Sequence, residues 1–188
     1  MLYKNFKINE DDYFLLPMKL EDLGRFKEIR DQCLDFIHNN KSYTYSETIK
    51  WFLKNNIRYL SLYNDKRMIG YVRLESNDSV CTIGMDLDPE YRGKGIAFAT
   101  YKITMDELNK YGITNFHLRV LQNNQHAVKL YKALGFEIIK TTENVVIRDG
   151  KSIGDFLMSR KDKKLNPVNE KIKKPVGEII THLKSKKI

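Results

Sequence analysis

The chain has 188 residues, 41% hydrophobic and 30% charged, enough for one domain with a proper core and short for two. No apolar run approaches the ~18 residues that span a bilayer, and the opening MLYKNFKINEDDY has no unbroken apolar stretch or small-residue cleavage site, so neither membrane insertion nor a secretory signal is read. The formal charge of +9 divides unevenly, +7 over residues 160–188 and +2 over residues 1–159, so the body is nearly neutral and a groove for nucleic acid is not indicated.

Taken in chain order, DYFLLPM (12–18) reads as a strand ended by Pro17. A helix follows, with Leu20, Leu23, Phe26 and Ile29 on one stripe. A polar, aromatic-rich loop, 38–46, leads into ETIKWFLKNN, for which Ser46 is the expected N-cap. From Tyr59 the pattern turns extended: YLSLY, MIGYVRLE and CTIGMDL form three meandering strands. Residues 95–111 give a helix with Ala97, Tyr101, Met105 and Leu108 on one stripe and Gly112 as its stop. FHLRVL is a strand, and NQHAVKLYKALGF a helix carrying Ala127, Leu130, Tyr131 and Leu134 before Gly135. EIIKTT and NVVIRDGKSIGDFLMS then give two strands around an Asp149-Gly150 hairpin turn. Cys33 and Cys81 lack CxxC spacing and nearby histidine pairs, and are read as two buried thiols in a reducing, cytoplasmic setting, with no metal site. The plan is α+β, a domain over 1–160 and a basic tail or linker over 161–188.

Between the third meander strand and the long helix lies DPEYRGKGIAF. A dinucleotide fingerprint would need Gly or Ala where Phe98 stands, and a Walker loop would need glycine where Asp88 stands and Ser or Thr after Gly-Lys. What remains is general: glycines at a helix start leave N–H groups open to an anion, or simply make a tight turn.

Arg92-Gly93-Lys94-Gly95-Ile96-Ala97 resembles the R/Q-x-x-G-x-G/A turn of the GNAT family of N-acetyltransferases. Asn124…Ala127…Leu130-Tyr131…Gly135-Phe136 is similar to the N-x-x-A…Y…G-F helix of the same family, in the same order and spacing; Ala97 stands where glycine is commoner. The resemblance covers roughly residues 12–159. It implies the GNAT fold, a mixed, mostly antiparallel sheet of six to seven strands flanked by about four helices. It also implies acetyl-CoA as cosubstrate, with the pyrophosphate on the backbone of Arg92, Gly93, Lys94, Gly95, Ile96 and Ala97. The pantetheine arm would lie along Met85 to Leu87, Asn124 would hydrogen-bond it, and Tyr131 would protonate the leaving thiolate. Tyr131 also fits a core stripe, and Asn124 a plain N-cap. For a general base Asp86 is the first candidate; His117, Glu75 and a water relay are alternatives.

The acceptor half, residues 30–58, brings together Arg30, His38, Tyr43 and Trp51 with several lysines and few carboxylates. Polyamines are therefore disfavoured, and a nucleotide-linked amine, with a base to stack and phosphates to neutralise, is favoured. The same segment looks like the acceptor half of acetyltransferases for nucleotide-activated 4-amino-4,6-dideoxy sugars, and nearly as much like the ribosomal-protein N-terminal acetyltransferases. These basic residues equally suit the solvated face of two amphipathic helices. A reading of another class makes the chain a non-catalytic acetyl-CoA-binding module with a nucleic-acid-binding tail; a linker into a further domain after residue 188 is the preferred role for the tail. Either a monomer or a homodimer is compatible with the sequence.

Overall fold

Eight strands form a single sheet in the order β1-β2-β3-β4-β5-β6-β8-β7 in the computed structural model, which describes residues 4–54, 57–77 and 80–163. The elements are β1 (Lys4–Ile8), β2 (Asp11–Pro17), α1 (Leu23–Asp31), α2 (Tyr45–Lys54), β3 (Arg58–Asn64), β4 (Arg67–Asn77), β5 (Val80–Leu87), α3 (Ile96–Lys110), β6 (Asn115–Leu121), α4 (Gln125–Ala133), β7 (Glu137–Arg148) and β8 (Lys151–Lys161). Every pairing is antiparallel except β5 with β6. Among the described residues the α+β class, the four helices and the mostly antiparallel sheet match expectation, and the sheet has one strand more than the six to seven expected.

The added strand is β1. Its five residues hold two large apolar side chains, too few for an alternation signal, and Asn9 at φ 55° turns it back onto β2. The Phe6 and Tyr13 rings then stack at 5.5 Å across the pair. The expected helix with Leu20, Leu23, Phe26 and Ile29 on its stripe is shorter, with a 3-10 turn at Leu20–Asp22 before α1 and a second 3-10 turn at Leu34–Phe36 after it. Helix α2 is capped by Thr44 rather than Ser46. The Thr44 hydroxyl accepts from the Glu47 N–H at 3.2 Å while the Glu47 carboxylate accepts from the Thr44 N–H at 2.8 Å, a reciprocal capping box. EIIKTT and NVVIR are one bulged strand, β7, and the turn joining it to β8 has both Asp149 and Gly150 at positive φ, as a type I′ hairpin requires.

Helices cover both faces of the sheet. Period-two alternation on β3 sends Leu60 and Leu62 into one cluster, with Tyr101 and Met105 of α3 and Val128 and Tyr131 of α4. Tyr59 points the other way and joins Tyr71, Leu23, Phe26 and Ile29 beneath α1. Both α3 and α4 end as anticipated, with Gly112 and Gly135 at positive φ. Ile113 N–H returns to Leu108 and Phe136 N–H to Tyr131. Strand β8 runs to Lys161, and Asp162 and Lys163 stay bonded to the body through Thr114 and Asn109. The rest of the predicted tail, 164–188, lies outside the described residues. Among the described residues no helix is long and apolar enough to cross a membrane.

Candidate active site

Strands β5 and β6 pair only at Cys81 with Phe116 and Thr82 with His117, and then part. Beyond that point β5 keeps β4 on its other edge through Leu87, while β6 stays bonded to β8, along the edge away from β5, from Asn115 to Leu121. Among the described residues, the stretch from Gly84 to Leu87 therefore has one edge without a neighbouring strand, and that edge opens on a cleft of about 1430 Å³. Unpaired strand edges present N–H and C=O groups to whatever extended ligand enters. Met85, Asp86 and Leu87 all line this cleft.

The glycine turn closes one end. Gly93 and Gly95 sit at φ 75° and 77°, the left-handed region that an L side chain enters only under strain. Gly95 is the N-cap of α3 and supplies no side chain to its first-turn amides. Arg92, Gly93, Gly95, Ile96 and Ala97 line the cleft; Lys94 does not, and its ammonium instead lies 5.3 Å over the Tyr91 ring. The turn is held from behind. Asp88, buried, accepts from Glu90 N–H at 3.0 Å, pairs with Arg25, and lies 3.4 Å from Arg67, while Arg92 Nε donates to the Leu87 carbonyl at 3.0 Å. This arrangement of open amides at a helix start suits a diphosphate.

The opposite wall is α4. Asn124 is its N-cap, accepting from Ala127 N–H at 3.2 Å, so its carbonyl oxygen is committed to the helix while the residue still lines the cleft. Tyr131 is 9% exposed, and its hydroxyl lies 3.2 Å from that of Tyr101. Burial pushes the Tyr131 phenol above its ordinary value, with the Asp86 charge adding to the shift and the Tyr101 hydrogen bond opposing it. When Tyr101 donates, the Tyr131 proton is free to be given into the cleft.

Asp86 accepts a hydrogen bond from Tyr71. Burial raises its carboxyl above the usual range, against the Tyr71 bond and the guanidinium groups of Arg73, Arg30 and Arg92. Glu75 and His117 are not in the lining: Glu75 sits opposite Thr82 on β4, with Arg73 3.6 Å away, and His117 flanks the closed end of the β5/β6 pair. The structure therefore separates Asp86 from the other two candidate bases.

On the acceptor side Arg30, His38, Tyr43 and Trp51 all line the cleft. Arg30 spends its donors on the carbonyls of Asn39 and Lys41, at 2.7 and 2.8 Å, and stacks 5.1 Å over Tyr43, so it shapes a loop rather than waiting for a ligand. His38 Nε2 meets Asp155 at 2.8 Å. Tyr43 accepts from Asn39 at 2.7 Å. Trp51, 37% exposed, stacks on Phe26 and meets Tyr59 edge-on, flanked on α2 by Lys50 and Lys54, for which the described residues supply no ion pair.

Sequence reasoning did not single out Tyr71, Tyr101 or Asp155 as site residues. Tyr101 looks like one more member of a helical stripe. Asp155 does carry a signal, a charge inside the apolar run IGDFLM. Among the described residues no cluster of His, Cys, Asp or Glu is suited to a metal ion.

The model of the acetyltransferase (GNAT) family matches residues 23–136. The ribosomal protein bS18-alanine N-acetyltransferase of Escherichia coli is 34% identical over 59 residues, 31% of this chain and 40% of its own length. The chain thus spans two fifths of that curated relative. The spermidine N-acetyltransferase of Vibrio cholerae, solved with CoA and spermine, superposes with a TM-score of 0.75 at 20% identity, covering 81% of this chain and 96% of its own. A phosphinothricin acetyltransferase of Sinorhizobium meliloti in complex with acetyl-CoA gives 0.70 at 18% identity, covering 86% and 96%. With more than half of its length matched by the family model, and with both motifs placed around one cleft, the chain belongs to the acetyltransferase (GNAT) family.

Proposed function

We propose that the chain transfers the acetyl group of acetyl-CoA to a primary amine. The observation that carries this reading is the convergence on one cleft of the free β5 edge, the positive-φ glycine turn and Tyr131. Acetyl-CoA supplies the activated thioester. The first-turn amides of α3 bind its diphosphate, and the edge of Met85 to Leu87 receives its extended arm and points a backbone N–H at the thioester oxygen. Asp86, its carboxyl raised by burial, accepts a proton from the incoming amine. Tyr131 holds a proton at its hydroxyl for the departing sulfur.

For the acceptor we propose the 4-amino group of a UDP-linked 4-amino-4,6-dideoxy sugar. Trp51 gives a planar surface for a base, and Lys50 and Lys54 give positive charge one helical turn apart on the same helix. Lysines here would repel a polyamine, so the spermidine enzyme informs the fold alone. A second reading, acetylation of a protein N-terminus, is supported by the resemblance to the bS18-alanine enzyme. Coenzyme A release is to be measured with UDP-4-amino-4,6-dideoxyglucose and with an N-terminal peptide. Turnover on the sugar alone supports the first acceptor, turnover on the peptide alone the second. Acetyl-CoA binding without turnover on any primary amine would favour a non-catalytic module.

A further inference from the structure

The loop over residues 37–44, between the second 3-10 turn and α2, is held from both sides of the cleft. From α1, Arg30 donates to the carbonyls of Asn39 and Lys41. From the far half, Arg148 at the end of β7 donates to the carbonyl of Ile37 at 2.8 Å and lies 3.4 Å from that of His38. Asp155 on β8 completes the attachment, accepting from His38 Nε2 at 2.8 Å over a sequence separation of 117 residues.

Asp155 is wholly buried and already accepts a bidentate pair from Arg119, at 2.6 and 2.9 Å. That pair satisfies both carboxylate oxygens. The His38 bond adds a second donor to Oδ2, already bonded by Arg119 Nε, and ties the loop to β8. The position is built for the purpose. A Cβ on neighbouring Gly154 would stand 2.5 Å from the Thr142 carbonyl and 2.8 Å from the Gln122 amide, so glycine is what lets β8 come close here. The same approach sets Asp155 opposite Leu121, where β6 ends beside the cleft.

We propose that Asp155 is a positioning residue of the acceptor site: through His38 it clasps loop 37–44 across the cleft, and the clasp sets which amines enter. This rests on the acetyl-transfer reading of the cleft. The bonds to backbone carbonyls fix the path of the loop, and Ile37, His38, Asn39 and Tyr43 then form one wall of the entrance.

The test uses the full chain with His38→Phe, which leaves the Arg119–Asp155 pair intact, and with Asp155→Asn. Hydrogen exchange of the 37–44 amides should accelerate by about tenfold or more in each, the loss expected for a charge-assisted bond. With UDP-4-amino-4,6-dideoxyglucose as the probe, KM should rise by about tenfold while kcat and the acetyl-CoA Kd stay within about threefold. Unchanged loop exchange in His38→Phe overturns the proposal, as does a parallel loss of acetyl-CoA affinity, which would make the contact general support for the cleft. Should Asp155→Asn fail to fold, His38→Phe decides. A wild-type chain that binds no acetyl-CoA refutes the functional reading instead, and the exchange comparison still decides the clasp.

Discussion

Asp86 and Tyr131 face one cleft, and burial raises the pKa of both, with different consequences. For Tyr131 the raised value keeps the phenol protonated until a strong base appears beside it. Tyr131→Phe should lower kcat by about a hundredfold or more, the scale of a lost general acid, with acetyl-CoA KM little changed; steady-state kinetics check this, and an unaltered kcat would refute the role. For Asp86 the raised value carries a stability cost. Between the unfolded carboxyl value of about 3.9 and the raised folded value, the native chain binds more protons than the unfolded one. Stability therefore falls as pH climbs through that window, and above it the ionised group is a standing cost. Asp86→Asn should lose turnover by about a hundredfold while its Tm at pH 7 holds or rises, since the amide oxygen still accepts from Tyr71. The acid limb of kcat/KM in the wild type should lie above the ordinary carboxylate range and disappear in this variant. A fall in Tm with activity retained would make Asp86 a structural residue.

At the scale of elements, the strand-turn-helix from β5 to α3 decides the site. Its glycines are needed for backbone geometry, because nothing lies within 4 Å of a Cβ built on Gly93 or Gly95. Gly95→Ala should therefore cost about 1 kcal/mol of stability, the penalty of the left-handed region, and weaken acetyl-CoA binding by tilting the amides; thermal melts and titration measure the two separately. Much of this unit was legible beforehand: the alternation of CTIGMDL, the glycine spacing and the stripe on α3 each have a local cause. The splay of β5 from β6 was not, because the two strands share only two residue pairs while each holds its other neighbour, β4 or β8, along its length, a long-range arrangement. Nor was the clasp, since His38 lies 110 residues from Arg148 and 117 from Asp155 and meets them only through the tertiary fold. The missed strand β1 and the shift of the α2 cap from Ser46 to Thr44 are local errors of a different kind. In the first, the signal was too short. In the second, Glu47 lies three residues after Thr44 and completes a capping box with it, whereas Ser46 immediately precedes Glu47.

For the whole molecule, charge is distributed in a way that bears on stability. Asp155 joins β8, β6 and loop 37–44, and its carboxyl is held below the ordinary range: burial alone would raise it, but the hydrogen bonds and charges of Arg119 and His38 outweigh that. The stabilisation is present above the unfolded value of about 3.9 and is lost as pH falls through the lowered folded one. The Tm gap between wild type and Asp155→Asn should accordingly be full at neutral pH and close in acid; a gap independent of pH would mean that packing, not ionisation, holds these parts together. Conversely, a chain ending at Lys163 should keep its Tm and acetyl-CoA affinity, since the bonds of Asp162 and Lys163 close the described body.

The proposed acetyl-CoA site combines the β5 edge, the glycine turn and Tyr131. Calorimetric titration with acetyl-CoA tests it most directly, comparing the wild type with Gly95→Ala. One molecule should bind per chain, with an affinity that drops in the variant by about tenfold, equivalent to about 1.4 kcal/mol. Absence of binding by the folded wild type, or binding that Gly95→Ala leaves untouched, would contradict it.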